Sequence, residues 1–154
     1  MPTHYKGTKA EERMLNTIIK VLRSTNALEK KVSSFLTGHN LTMTQFDILE
    51  MLLHLGSLCH RQLAEKTLST AGNITSVITT LVAKKWVKRV RSKKDRRDVR
   101  IQLTKIGEEH IQTVFHLHVK EMVAYFSVLT PQQQLTLGTL SAALGLQTKL
   151  QKEK

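Results

Sequence analysis

The chain has 154 residues, 40% of them hydrophobic, and carries 24 Lys/Arg against 12 Asp/Glu for a formal net charge of +12. That length and composition suit one compact domain, or one domain with arms, and the charge calls for an anionic partner, nucleic acid ahead of an anionic membrane surface. The single cysteine, Cys59, excludes an intrachain disulfide and suits a reducing cytoplasm; there is no apolar run of about 18 residues for a membrane span and no apolar stretch of the signal-peptide kind at the N-terminus.

Few glycines and two prolines predict a mainly helical chain. Leu15, Ile18, Ile19, Leu22, Leu28, Val32, Phe35 and Leu36 recur at steps of three and four, which predicts a long amphipathic helix over 10–36. Gly38 and Asn40 end it. Thr42-Met43-Thr44-Gln45 has capping-box form and opens a second helix, with Phe46, Leu49, Leu52 and Leu53 facing inward and Gly56 as its stop. Ser57 to Cys59 reads as a short extended link, followed by a brief helix over 60–67 that buries Leu63 and Ala64.

The next helix, over 70–85, has two unlike faces. Ile74, Val77, Ile78, Leu81 and Val82 form an inward stripe, while Thr70, Asn73, Thr75, Ser76, Thr79 and Thr80 lie opposite. Short hydroxyl and amide side chains let a helix come close to a DNA groove and still offer hydrogen bonds. Thr70, Asn73, Thr75, Ser76 and Thr79 are therefore the candidate groove contacts. Such a face is also compatible with plain solvation, so its neighbour matters. Residues 84–100 hold ten of the 24 Lys/Arg against two acids, Asp95 and Asp98. Within this stretch 86–91 and 99–103 read as the strands of a hairpin, the second by the alternation of Val99, Ile101 and Leu103 with Arg100 and Gln102. A cationic ribbon attracts phosphate through charge and counterion release, whatever the base sequence.

Thr104 is expected to cap a fifth helix running to about residue 127, and Thr130-Pro131-Gln132-Gln133 to open a sixth, with a threonine cap, proline in the first turn and glutamine at the third helical position. Three central helices with a β-ribbon make a winged helix-turn-helix. The terminal helices carry more apolar surface than that small core can cover, and a second copy of the chain is the simplest cover. The expected fold class is thus mainly α with a small β-wing, a winged helix-turn-helix over 42–103 flanked by dimerisation helices at 10–36 and 104–150.

The runs G-N-I-T-S-V-I-T-T-L (72–81) and K-D-R-R-D-V-R-I-Q-L-T-K-I-G (94–107), with D-x-R in the wing followed by L-T-x-x-G, resemble the MarR family of transcription regulators. The likeness in helix order extends over nearly all of 1–154, read as a single MarR-type domain. The resemblance implies a homodimer placing two winged helices on the halves of a palindromic operator in double-stranded DNA. By position, Arg97 would enter the minor groove and Asp95 would orient it. A narrow minor groove concentrates negative potential, and guanidinium is weakly hydrated. Lys93, Lys94 and Arg96 would attract phosphate beside them.

The resemblance also implies a response to an effector, such as a small phenolic or lipophilic compound. Tilting the two lobes would spoil their spacing of about 34 Å. A repressor acting in the cytoplasm, at the nucleoid, is the expected role. An architectural or counter-silencing DNA binder of broad specificity is the alternative, and a winged helix that binds only protein is the remote one. No enzyme is expected, because no phosphate loop, nucleophile motif or acid pair is present, and no cofactor is implied. His110, His116 and His118 lack the H-x-x-x-H spacing of helical metal ligands, so no metal site is expected. Cys59 reads as a small packing residue rather than a sensor.

Overall fold

A computed structural model describes residues 3–67, 71–91 and 99–150. Thr70 and the wing residues Lys93, Lys94, Asp95, Arg96 and Arg97 lie outside the described residues, as does the side chain of Asn73.

The elements run α1 (Lys9–Gly38), α2 (Met43–Leu55), β1 (Leu58–Cys59), α3 (His60–Lys66), α4 (Ala71–Ala83), β2 (Val87–Arg91), β3 (Val99–Leu103), α5 (Lys105–Phe126) and α6 (Pro131–Leu150). Local chemistry sets most boundaries. Thr42 Oγ1 accepts the Gln45 N–H at 3.3 Å while Gln45 Oε1 accepts the Thr42 N–H at 3.2 Å, the expected capping box of α2. Thr130 and Gln133 repeat it before α6 at 3.3 and 2.8 Å, and Thr8 with Glu11 forms a further one before α1. The loop after α1 turns at Asn40 (φ 58°), a left-handed position that asparagine tolerates, and α2 ends at Gly56 (φ 74°).

Two units divide the chain, residues 1–114 and 115–154. The first holds the core. Leu36 of α1, Ile48, Leu49 and Leu52 of α2, Leu63 of α3, Ile74, Ile78 and Leu81 of α4, and Ile111 and Val114 of α5 are buried. Each such side chain contributes about 1.5–3 kcal/mol by leaving water. The three-stranded antiparallel sheet has the order β1-β3-β2, with Leu58 opposite Ile101 and Val87 opposite Leu103. Ser57–Cys59, expected to be merely extended, thus supplies a two-residue edge strand. Leu58, Val87 and Ile101 bury one face of the sheet, and Lys88, Arg89, Arg100 and Gln102 are exposed.

The expected apolar stripe of α1 is only partly covered within the chain. Of its members Val32 and Leu36 are buried, whereas Ile18 and Leu22 are exposed, Leu22 at 64%; Met14 and Val21, outside the expected stripe, are exposed too. In the second unit, Val123 and Val128 in and after α5 and Leu135, Leu140 and Leu144 of α6 are likewise exposed.

Candidate nucleic-acid interface

Helix α4 presents two faces, as its sequence requires. Ile74, Val77, Ile78 and Leu81 are buried at steps of three and four, which turns Thr75, Ser76, Thr79 and Thr80 outward together. The hydroxyls of Thr75, Thr79 and Thr80 already have partners. Thr79 donates to the Thr75 carbonyl at 2.9 Å and Thr80 to the Ser76 carbonyl at 3.1 Å, the back-bonding that mid-helix threonines adopt. Arg89 of β2 donates through Nη2 to Thr79 Oγ1 at 3.2 Å. On the other side, Nε2 of His60, the first residue of α3, lies 2.9 Å from Thr75 Oγ1. The hydroxyl face is therefore bracketed by one side chain from α3 and one from the sheet. Of the expected groove contacts, Thr75, Ser76 and Thr79 share this surface.

The joint between α4 and β2 is built from tight contacts. Lys85 adopts φ 58°, and the Lys85 and Trp86 amides donate back to Val82 and Leu81 carbonyls at 2.9 and 3.1 Å, a Schellman-type end. The Trp86 ring stacks on His110 of α5 with centroids 4.2 Å apart and planes at 20°. Lys84 Nζ sits 4.4 Å from the centre of the Trp86 ring and also donates to the Asn40 carbonyl at 2.7 Å. Burial, then the neighbouring charges of His39 and Lys84, lower the pKa of His110 below that of an ordinary histidine and favour its neutral form. A neutral ring against the indole adds no second cation beside Lys84.

The same joint explains the L-T-x-x-G motif. Thr104 Oγ1 donates to the Lys85 carbonyl at 2.6 Å and accepts the Gly107 N–H at 3.0 Å, so one hydroxyl caps α5 and ties it to the end of α4. Gly107 is buried against the Trp86 carbonyl, whose carbon would lie 2.6 Å from an added Cβ.

Strand β2 and the turn before it supply charge. Lys85, Lys88, Arg89 and Arg91 are exposed, and Lys85, Lys88 and Arg91 have no acidic partner among the described residues. Strand β2 ends at Arg91, paired with Val99 at the start of the antiparallel β3. Cys59 is a half-buried free thiol whose N–H donates to Gln62 Oε1 at 2.9 Å. Among the described residues no three His, Cys, Asp or Glu side chains converge to hold a metal, and no helix is long and apolar enough to cross a membrane.

Sequence reasoning found the hydroxyl face but missed His60 and Trp86. No local pattern marks either. His60 meets a residue 15 positions away, and Trp86 meets His110 across the fold.

A short helix followed by an exposed-hydroxyl helix and a basic antiparallel hairpin is a winged helix-turn-helix. Residues 30–114 match the family model described as transcriptional regulator SarA/Rot. The chain belongs to this family of transcriptional regulators, which are not enzymes. Over 138 residues it is 28% identical to the helix-turn-helix transcriptional regulator MhqR of Bacillus subtilis, covering 90% of this chain and 95% of that protein. Its fold is similar to that of NMB1585, a MarR family regulator from Neisseria meningitidis, with a TM-score of 0.72 at 17% identity over 90% of this chain and 99% of that one. It is also similar to NadR, solved in complex with 4-hydroxyphenylacetate, with a TM-score of 0.67 at 26% identity over 94% and 97% of the two chains. The MarR-type winged-helix fold expected from the wing motif is therefore borne out.

Proposed function

We propose that the chain acts as a homodimeric repressor on a palindromic operator. In this reading the lobe 42–103 reads one half-site, and the helices 10–36 and 104–150 pair two copies. The observation that carries it is the exposed hydroxyl face of α4 lying beside a cationic strand, because Thr75, Ser76 and Thr79 can approach base edges where Arg89 and its neighbours approach phosphate. Uncovered apolar residues on α1 and, separately, on α5 and α6 support pairing with a second copy. Asn73 and Thr70 would extend the helix contact. Arg97, oriented by Asp95, would enter the minor groove, with Lys93, Lys94 and Arg96 on flanking phosphates. Acting on chromosomal DNA places its work at the nucleoid in the cytoplasm.

The likeness to a regulator solved with 4-hydroxyphenylacetate supports control by a small aromatic effector. Such a ligand releases DNA only by binding the DNA-incompetent arrangement more tightly.

Arg97→Ala tests the wing assignment. A gel-shift titration of the selected operator should show affinity lowered about tenfold or more, since a good groove contact contributes about 1–3 kcal/mol, with the dimer intact by sedimentation. Unchanged affinity would remove Arg97 from the interface.

A further inference from the structure

Thr75 and Thr79 sit on the same exposed face of α4, yet their hydroxyls are constrained differently. Thr79 commits its only proton to the Thr75 carbonyl and accepts from Arg89, so it offers an incoming base a lone pair and no donor. Thr75 is not committed in this way. Its hydroxyl meets His60 Nε2 at 2.9 Å, and an imidazole nitrogen donates or accepts according to its tautomer. When Nε2–H donates, the Thr75 hydroxyl keeps its own proton for an outward acceptor such as guanine O6 or thymine O4. When Nε2 accepts, Thr75 can only accept from an adenine or cytosine amine.

We propose that His60 is a positioning residue for base recognition, setting through its bond to Thr75 whether that hydroxyl offers the major groove a donor or an acceptor. This inference rests on the reading of α4 as the groove-reading helix. Both partners are exposed, so the bond contributes little to folding, and its consequence lies in the orientation it gives Thr75. His60 comes from α3, outside the reading helix, so it can tune recognition without occupying the groove position itself.

The test is a double-mutant cycle in the full-length protein. Duplexes selected from a random pool by the wild type, and their single-base variants, are titrated with wild type, His60→Ala, Thr75→Ala and the double variant, alongside random duplex and a salt series. Thermal melting checks that all four fold alike. The expected result is that His60→Ala loses about tenfold in discrimination at one base step per half-site. Its salt slope and its affinity for random duplex should stay those of the wild type, and the double variant should discriminate no worse than Thr75→Ala alone. Retained discrimination, additive losses, or a salt slope reduced by about one phosphate per half-site would overturn the proposal, the last by making His60 a direct phosphate ligand. If the wild type itself fails to separate selected from random duplex, the groove-reading assignment of α4 fails, and this inference falls with it. The other failures leave that assignment standing.

Discussion

Raising the salt concentration from 50 to 200 mM should weaken the operator complex by about 10³–10⁵-fold, the loss expected when about six to ten phosphates are neutralised. The reason lies in how the charge is held. Ten of the 24 Lys/Arg fall within 84–100, and the described members of that group sit largely on exposed positions of the turn and sheet. Lys85, Lys88 and Arg91 have no carboxylate partner among the described residues, so none of the described ion pairs has to break for them to meet phosphate. Each phosphate they meet releases condensed counterions, and that entropic gain shrinks as bulk salt rises. Lys84 is different, being engaged with the Trp86 ring and the Asn40 carbonyl, and its substitution should affect the joint more than the salt slope. A plot of log affinity against log salt gives the slope directly, expected at about −5 to −9 for the dimer. A nearly flat line would contradict the assignment of the cationic edge to phosphate.

Gly107→Ala should lower stability by about 3 kcal/mol or more, at or beyond the upper end of ordinary overpacking. That corresponds to about 6–12 °C in Tm for a chain of this size. The added methyl would run into the Trp86 carbonyl group rather than into a side chain that could rotate away. Nor can the backbone yield locally. The Trp86 carbonyl accepts the Thr104 N–H at 3.0 Å, the Thr104 hydroxyl holds the Lys85 carbonyl and the Gly107 N–H, and the Trp86 ring is stacked on His110. Relief would have to shift the start of α5 away from the wing. Gly138→Ala in α6 is the matched control. Nothing lies within 4 Å of its added methyl, so the helix-propensity gain of about 0.5–1 kcal/mol should appear instead. Differential scanning calorimetry of the two variants separates these cases. A Gly107→Ala protein melting with the wild type would show that α5 does not bear on Trp86 as described.

This glycine also shows how far the sequence could be read. The L-T-x-x-G run was legible as a family motif, but its cause was not, because the carbonyl that excludes a side chain belongs to a residue 21 positions earlier. The capping boxes at Thr42 and Thr130 were legible because each is closed by residues three apart, and the α4 stripe because a 3.6-residue repeat is local. Contacts set by tertiary approach left no such mark. His60 against Thr75, Arg89 against Thr79 and Trp86 against His110 each join elements whose meeting depends on the whole lobe. The α1 stripe marks a third limit. Periodicity identifies an apolar face but not what covers it, and Ile18 and Leu22 are exposed where Val32 and Leu36 are buried.

The most direct measurement is a hydroxyl-radical footprint on a duplex selected by the protein, with the bound mass determined by sedimentation. Two chains per duplex and two protected patches related by a two-fold axis, their centres about 10–10.5 base pairs apart, are predicted. One chain guarding a single patch, or even protection along any DNA offered, would contradict the paired winged-helix reading.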